Sequence, residues 1–540
     1  MKGINTTTYT FDKLIGMHAI YVDKTKWIYQ LISGFGNEYF CSRPRRFGKS
    51  LTLSALKAIF RGKRELFQNL FIGKQDYSWE EYPVIHLDFA REVIDNRRNL
   101  NISLCDSLRR IGNEYGCEIQ GDTPALLFRN LIEALYEKYQ KGVVLLIDEY
   151  DKPILDHLNN EKEAEEYRTF LDTFYQVIKG AEPMLRFVFI TGVTRFAKVS
   201  IFSKLNNLTD ITMSADYAEM FGYTEEELES YFSDYLEDGA KQTGVSKEEF
   251  IERIRDWYDG FLFEESAKRV YNPVSIGRFF TEHYKYQNFW FATGTASFLV
   301  KLLKKNHLIL PDIKSATMDA DSFDVFDVAE LASDDVPNDK LIQMLYQTGY
   351  LTLDRLLFPD SRLYRLRFPN YEVERSFETY LLYVYAGSSK ASSVPANLRV
   401  AALEGDTELM MEILETFFAG LPYDLQIKQE KYYQSIVYTI FKMCNMDVLT
   451  ELKTNIGRID GVLQNKDHIY IMEFKLNKTE EKALAQIEDK KYAESYILPA
   501  KQQGKTVHKL GINFCYEDGV RAITGWEEEI VKVQLINVNR

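Results

Sequence analysis

Cys41-Ser42-Arg43-Pro44-Arg45-Arg46-Phe47-Gly48-Lys49-Ser50 stands between two patterned segments. A short apolar run, Tyr39-Phe40-Cys41, precedes it, and Leu53, Leu56, Ile59 and Phe60 follow at helical spacing, closed by Gly62. Strand, loop and helix in that order form the setting in which backbone N–H groups and the positive end of a helix meet phosphate. Gly48-Lys49-Ser50 matches the end of the P-loop motif G-x-x-x-x-G-K-[ST], whose lysine reaches the β and γ phosphates and whose hydroxyl holds Mg²⁺. Arg43 occupies the place of the first glycine, a departure from the standard form. Arg45, Arg46 and Phe47 complete the loop, and the two arginines either touch phosphate or nucleic acid or form a solvated basic turn.

Outward from the loop, apolar runs recur at Val84–Phe89, Val143–Asp148 and Phe187–Gly192, separated by segments of helical period such as Leu126 to Tyr139 and Tyr167 to Ile178, the latter stopped by Gly180. This alternation predicts an α/β fold, a parallel sheet wrapped by helices. The run Val143 to Ile147 ends in Asp148-Glu149, the form of a Walker B strand. Its first acid holds the Mg²⁺ shell and its second orients water, so Asp148 is the expected metal residue and Glu149 the expected base. The last strand ends at Thr191, placed to sense the γ-phosphate. Arg195 follows, either as a stabiliser of transition-state charge or as an ordinary surface arginine.

The chain has 540 residues, enough for several domains, with 14% aromatic content and a formal net charge of −14. That charge excludes a broadly basic nucleic-acid coat but leaves room for a local basic groove. Five scattered cysteines form no Cys-x-x-Cys pair and suit reduced thiols, while seven scattered histidines give no zinc spacing. With no signal-peptide core and no apolar run long enough to span a bilayer, the expected location is the cytoplasm, with no membrane contact.

Beyond the expected ATPase domain, 1–215, Thr224 offers an N-cap with acids in the first turn, opening a helical lid, 216–300. Asn288-Phe289-Trp290-Phe291 reads as lid core. In a connector, 301–420, a helix ending at Gly349 is followed by Tyr350–Leu353 and Leu363–Leu366, the pattern of a winged helix, and helices resume from Val373 to Phe418. The last segment, 421–540, has a helix from Ile427 to Cys444, a hairpin, a polar helix near 480–494 and a strand, Lys509–Tyr516.

The hairpin joins Gly457–Leu463 to Ile469–Lys475 through the turn Asn465–His468. If Gln464 pairs with Ile469, Asp460 falls opposite Glu473, and the period of two puts Lys475 on the same face. Two adjacent carboxylates call for a cation, and Mg²⁺ held by carboxylates and water satisfies that need. Such a metal polarises a phosphoryl oxygen, and Lys475 orients or deprotonates the attacking water. Glu430, at the head of the preceding helix, either reaches the metal or lies on the surface.

The blocks SRPRRFGKSLTLSALK, LLIDEYDKP, ITGVTRFAKVSIFSKLNNLTDIT and FGYTEEEL, with Tyr21-Val22-Asp23-Lys24-Thr25 ahead of them, resemble the bacterial predicted AAA-type ATPases, related to STAND-like ATPases. Asp-x₁₂-Glu-x-Lys resembles the PD-(D/E)xK nuclease superfamily, in the branch fused to this same ATPase. Gln486, on the helix after the hairpin, resembles the fourth motif of PD-(D/E)xK nucleases. The resemblance implies a P-loop core with a helical lid, usual absence of the first glycine, and a nuclease-like C-terminal domain. The function expected is ATP binding, with hydrolysis, that gates a Mg²⁺-dependent phosphodiesterase acting on nucleic acid, DNA before RNA. The alternative is an ATP-dependent switch or homo-oligomer assembly protein whose nuclease-like domain only binds.

Overall fold

The computed structural model describes residues 1–196, 208–290, 313, 315–320, 328–333, 336–386, 394–419, 430–444, 446–453, 458–516 and 522–531. The expected lid end at 291–298, the start of the connector, Ile427, Gly457 and the stretch 197–207 of the third matched block lie outside these residues. The chain divides into two compact units: residues 1–306 with 314–374, and 307–313 with 375–540. The sequence boundary near 420 falls inside the second.

In the first unit, β1 (Glu38–Ser42), β2 (Val84–Asp88), β3 (Val143–Asp148), β4 (Leu185–Gly192) and β5 (Thr209–Asp210) form a sheet ordered β2-β3-β4-β1-β5. Each neighbouring pair is parallel. Every residue of β1 and β3 is buried, as expected of central strands covered by helices on both faces. The helix Glu161–Ala181 runs one residue past Gly180 before a 3₁₀ turn, Glu182–Met184, ends it. The order matters for function, because β4 lies between the strand entering the Gly-Lys-Ser loop and the strand ending in Asp148. Their carboxyl ends open on one edge, where ligands bind in such sheets.

Thr224 caps the helix Glu225–Tyr231 through a capping box with Glu227. This helix and those at Ser233–Thr243, Lys247–Tyr258 and Pro273–Thr281 bury Leu228, Phe232, Leu236, Phe250, Ile254 and Phe279 in a separate core. Glu227 also takes the nearly buried Lys24 ammonium at 2.6 Å. The helix Asn338–Thr348 stops at Gly349, and β7 (Thr352–Leu356) and β8 (Leu363–Arg367) form the following hairpin, with β6 (Thr317–Asp319) on its other side.

In the second unit, β9 (Asp447–Lys453), β10 (Arg458–Gln464), β11 (His468–Leu476), β12 (Thr506–Phe514) and β13 (Ile523–Val531) form a mixed sheet ordered β13-β12-β11-β10-β9. Only β11 and β12 run parallel, joined by the helices Glu480–Asp489 and Glu494–Gln503. The first of these helices lies so close to the sheet that a Cβ on Gly511 would come 2.5 Å from the carbonyl oxygen of Glu480. Glycine there brings Gln486 near the strand that carries Glu473.

Candidate active sites

The loop after β1 turns with φ of 70° at Arg46 and 94° at Gly48. An added Cβ at Gly48 meets nothing within 4 Å, so its glycine is required by conformation, not by space. Lys49 is buried and its ammonium donates to the carbonyls of Arg43 at 2.9 Å and Pro44 at 3.1 Å. Burial lowers its pKa, against the opposing pull of Glu149, Asp148 and Asp151. The loop motif and the acidic strand end, distant in sequence, thus face one another. Ser50 is half-buried in the first helical turn. Phe47 is buried edge-on against Phe261 and Phe263, at 4.8 and 5.4 Å between ring centres.

The Arg43 side chain is buried. Its guanidinium donates to the carbonyls of Ser42 at 3.0 Å and Thr212 at 2.6 Å and lies 4.2 Å from the ring centre of Phe263. Its φ is not positive, so this backbone position makes no demand for glycine. The lid holds the loop from outside. Asn272 caps the helix Pro273–Thr281 and donates its amide to the Arg46 carbonyl at 3.4 Å. The Trp290 indole donates to the Arg45 carbonyl at 3.3 Å, and its backbone N–H donates to Glu372 at 2.7 Å.

At the ends of β3 and β4, the Thr191 hydroxyl donates to Asp148 at 2.6 Å. Glu149 sits at φ 50°, a strained region for a side-chain-bearing residue, and burial raises its pKa while Lys49 opposes the rise. Asp151, unanticipated from the sequence, accepts from the backbone N–H groups of Val193 at 3.0 Å and Thr194 at 2.6 Å and from the Thr194 hydroxyl at 2.6 Å. It clamps the two strand ends together, and its other oxygen is buried with no partner among the described residues. Arg195 pairs with Asp210 at 2.8 Å, and its backbone N–H donates to Gln347 at 2.9 Å. Three carboxylates facing Lys49 leave an excess of negative charge that suits a cation such as Mg²⁺.

The second site sits on the hairpin. Gln464 pairs with Ile469 and Gly461 with Met472, the register on which the expected convergence depended. At the next step Asp460 turns its carboxylate to accept the Phe474 N–H at 2.9 Å. Glu473 and Lys475 are both buried, with Lys475 Nζ 2.7 Å from Glu473 Oε1. Gln486 also donates to Oε1, and Glu430 accepts the Leu476 N–H at 3.2 Å. Burial, then Asp460, pushes the Glu473 carboxyl up to about 7, and burial raises Asp460 as well. Glu430 adds repulsion to both.

Glu473 Oε2 is buried and has no hydrogen-bond partner among the described residues. Among those residues no three His, Cys, Asp or Glu side chains close on one point as a ready-made metal cage. Two carboxylates with one oxygen unclaimed instead match an ion that keeps several waters, the habit of Mg²⁺.

Comparison with known proteins finds a match in each half of the chain. The family described as Predicted AAA-ATPase matches residues 5–202, and the PD-(D/E)XK nuclease superfamily matches residues 428–523. An "Uncharacterized protein in vnfD 5'region" from Azotobacter chroococcum mcd 1 is 33% identical over 531 residues, covering 96% of this chain and 97% of the relative. The chain belongs to the predicted AAA-ATPases with a C-terminal PD-(D/E)XK domain.

In this predicted AAA-ATPase the anticipated residues gather as two groups. Arg45, Arg46, Phe47, Gly48, Lys49 and Ser50 form one loop, with Asp148, Glu149 and Thr191 at the adjoining strand ends. Asp460, Glu473, Lys475, Gln486 and Glu430 form the other group. Asp151, Asp210 and Thr212 add structure that motif spacing did not reveal. Asp151 was within view, three residues beyond Asp148 in LLIDEYDKP. No helix among the described residues is long and apolar enough to cross a membrane.

Proposed function

We propose that this protein binds and hydrolyses ATP with Mg²⁺, and that its nucleotide state gates a metal-dependent phosphodiesterase acting on nucleic acid, DNA in the first instance. The observation that carries the reading is the buried Asp460–Glu473–Lys475 group with its unclaimed carboxylate oxygen, on a chain that also presents Lys49 to Asp148 and Glu149. Asp460 and Glu473, with Glu430 behind them, hold the metal, and Gln486 fixes the rotamer of Glu473. Bound Mg²⁺ supplies charge neutralisation and polarises the scissile phosphodiester. Lys475, its ammonium held by Glu473, orients the attacking water.

At the first site Lys49 leaves the Arg43 and Pro44 carbonyls to meet the β and γ phosphates. Ser50 and Asp148 hold the metal, Glu149 orients water and Thr191 senses the γ-phosphate through Asp148. The loop backbone with Arg45, Arg46 and Phe47 shapes the phosphate cradle. Arg195 stabilises developing charge after exchanging Asp210 for phosphate. The protein works in the cytoplasm, as a homo-oligomer.

The deciding experiment is cleavage of plasmid and single-stranded DNA and RNA with Mg²⁺ or Mn²⁺, with and without ATP. Wild type is expected to cut DNA in an ATP-dependent manner, Lys49→Ala to lose the ATP dependence, and Asp460→Ala to lose cutting while still binding ATP. Equal cleavage by Lys475→Ala would sink the nuclease assignment.

A second reading, an ATP-dependent switch with a nuclease-like domain that only binds, is favoured by the engaged state of Lys49 and by the Arg195–Asp210 pair. ATP-tightened oligomers without phosphate release, and no cleavage under any metal, support it. Loss of phosphate release in Glu149→Gln requires turnover in the wild type and counts against it.

A further inference from the structure

On the outer edge of the first sheet, β2, the end of the loop helix Lys49–Phe60 and the helix Arg97–Glu114 line a cleft of about 620 Å³. None of the residues given a nucleotide role contributes to it. The volume suits a small organic ligand. His86 of β2 lines the cleft, and its Nε2 is buried with no hydrogen-bond partner among the described residues. Burial lowers its pKa to about 4, with Lys57 the next cause.

The charges around the cleft do not cancel locally. Asp88 is taken by Arg91 at 3.0 Å and by the Ala90 N–H at 3.0 Å. Glu92 accepts the hydroxyls of Ser103 and Ser107. Glu114 faces Arg61 at 3.7 Å, and Asp106 pairs outward with Arg109 at 3.7 Å. Lys57 and Arg110 remain, neither with a carboxylate within ion-pair distance among the described residues, beside Glu92, which has no cation within that distance. Among the described residues Arg110 makes a single side-chain hydrogen bond, to the Ser107 hydroxyl at 3.4 Å. Lys57 is half-buried, and burial followed by Arg61 lowers its pKa. A partly desolvated ammonium without a counter-charge is costly, and an anion removes that cost.

The polar groups approach from three elements: Lys57 from one helix, His86 from the strand and Arg110 from the other helix. Polar groups on three elements lining one cleft suit a tetrahedral oxyanion better than a planar carboxylate, whose match is a two-pronged partner. Val93 and Ile102, 52% and 51% exposed, add apolar surface for the rest of a ligand. We propose that this cleft is a second ligand site, distinct from the nucleotide loop, for a small molecule bearing a terminal phosphate. The site lies about 12 Å along the helix from Lys49, eight residues at 1.5 Å each. Its strand carries Asp88 beside Asp148.

The test uses the full chain labelled with ¹³C-histidine, its nucleotide loop kept filled by a non-hydrolysable ATP analogue and Mg²⁺. Of the seven histidine signals, the one lost in His86→Gln is followed during titration with inorganic phosphate, phenyl phosphate and acetate at constant ionic strength. Both phosphates are expected to move it saturably, with acetate inert. Lys57→Met and the surface change Arg110→Met should each weaken binding about tenfold, and Lys57→Arg should restore most of it. Tighter binding of phenyl phosphate identifies an organic ester as the ligand, and equal binding identifies free phosphate. A non-saturating response, an equal response to acetate, or undiminished binding in correctly folded Arg110→Met and Lys57→Met proteins overturns the proposal.

Discussion

The two sites of this protein keep their charges in opposite ways. At the nucleotide loop the cation is occupied: Lys49 donates to two carbonyls of its own loop, and Asp148 accepts from Thr191. On the hairpin the anions are left short, with burial raising both Asp460 and Glu473, Asp460 adding to the rise of Glu473, and Glu473 Oε2 without a partner among the described residues. An incoming phosphate must therefore exchange contacts with Lys49, whereas an incoming cation at the hairpin relieves repulsion already present. The first arrangement holds a loop in shape without its ligand, and the second stores a binding preference as unfavourable charge.

The largest effect that sharpens this contrast is chemical. Lys475→Ala is expected to slow Mg²⁺-dependent cleavage by roughly 10²–10⁴-fold while leaving ATP affinity unchanged, read by plasmid nicking beside nucleotide titration. Next comes Arg43→Gly, which installs the missing glycine of the motif. Because Arg43 is buried on Phe263 and two carbonyls, the change should cost about 3–5 kcal/mol in chemical denaturation without improving ATP affinity. A gain in affinity would show that the arginine obstructs phosphate after all.

Glu372 tests the lid side of the first site. Burial pushes its carboxyl up to about 7. An unfolded glutamate titrates near 4.3, so between about 4.3 and 7 the folded chain holds a proton that the unfolded chain lacks. Stability therefore falls as pH rises through that window. Glu372→Gln should flatten the slope and raise stability at pH 8 by up to about 3 kcal/mol, and an unchanged slope in thermal unfolding would count against the assignment. The smallest effect belongs to the hairpin: Mg²⁺ at ten- to a hundredfold over its Kd adds about 1.4–2.7 kcal/mol of stability. Glu473→Gln should abolish that gain, and Lys49→Ala should not.

The hairpin was readable because register and a period of two are local rules. Gln464 opposite Ile469 suffices to bring Asp460 toward Glu473, and the structure keeps that register. The sheet core was readable for a similar reason: apolar runs such as Val143–Ile147 have no other economical place than a covered strand. What escaped was long-range. Nothing near Arg43 in sequence announces Phe263 or the Thr212 carbonyl, so its place in the motif read only as a departure from the standard form. Asp151 and the Arg195–Asp210 pair depend on which strands neighbour β1, and spacing alone does not encode that. Gly180 was a misleading stop, because the helix carries on to Ala181.

Trp290 has a consequence of a different kind. Its indole is bonded to the carbonyl of Arg45, inside the phosphate loop, and its backbone to Glu372. Of the five tryptophans, it is the one bonded to that loop among the described residues, so the protein contains its own optical probe. If nucleotide binding displaces the Arg45 carbonyl, this indole hydrogen bond is the one expected to change, read as a shift in emission. Loop closure then becomes a stopped-flow signal in the unlabelled chain, with Trp290→Phe as its blank.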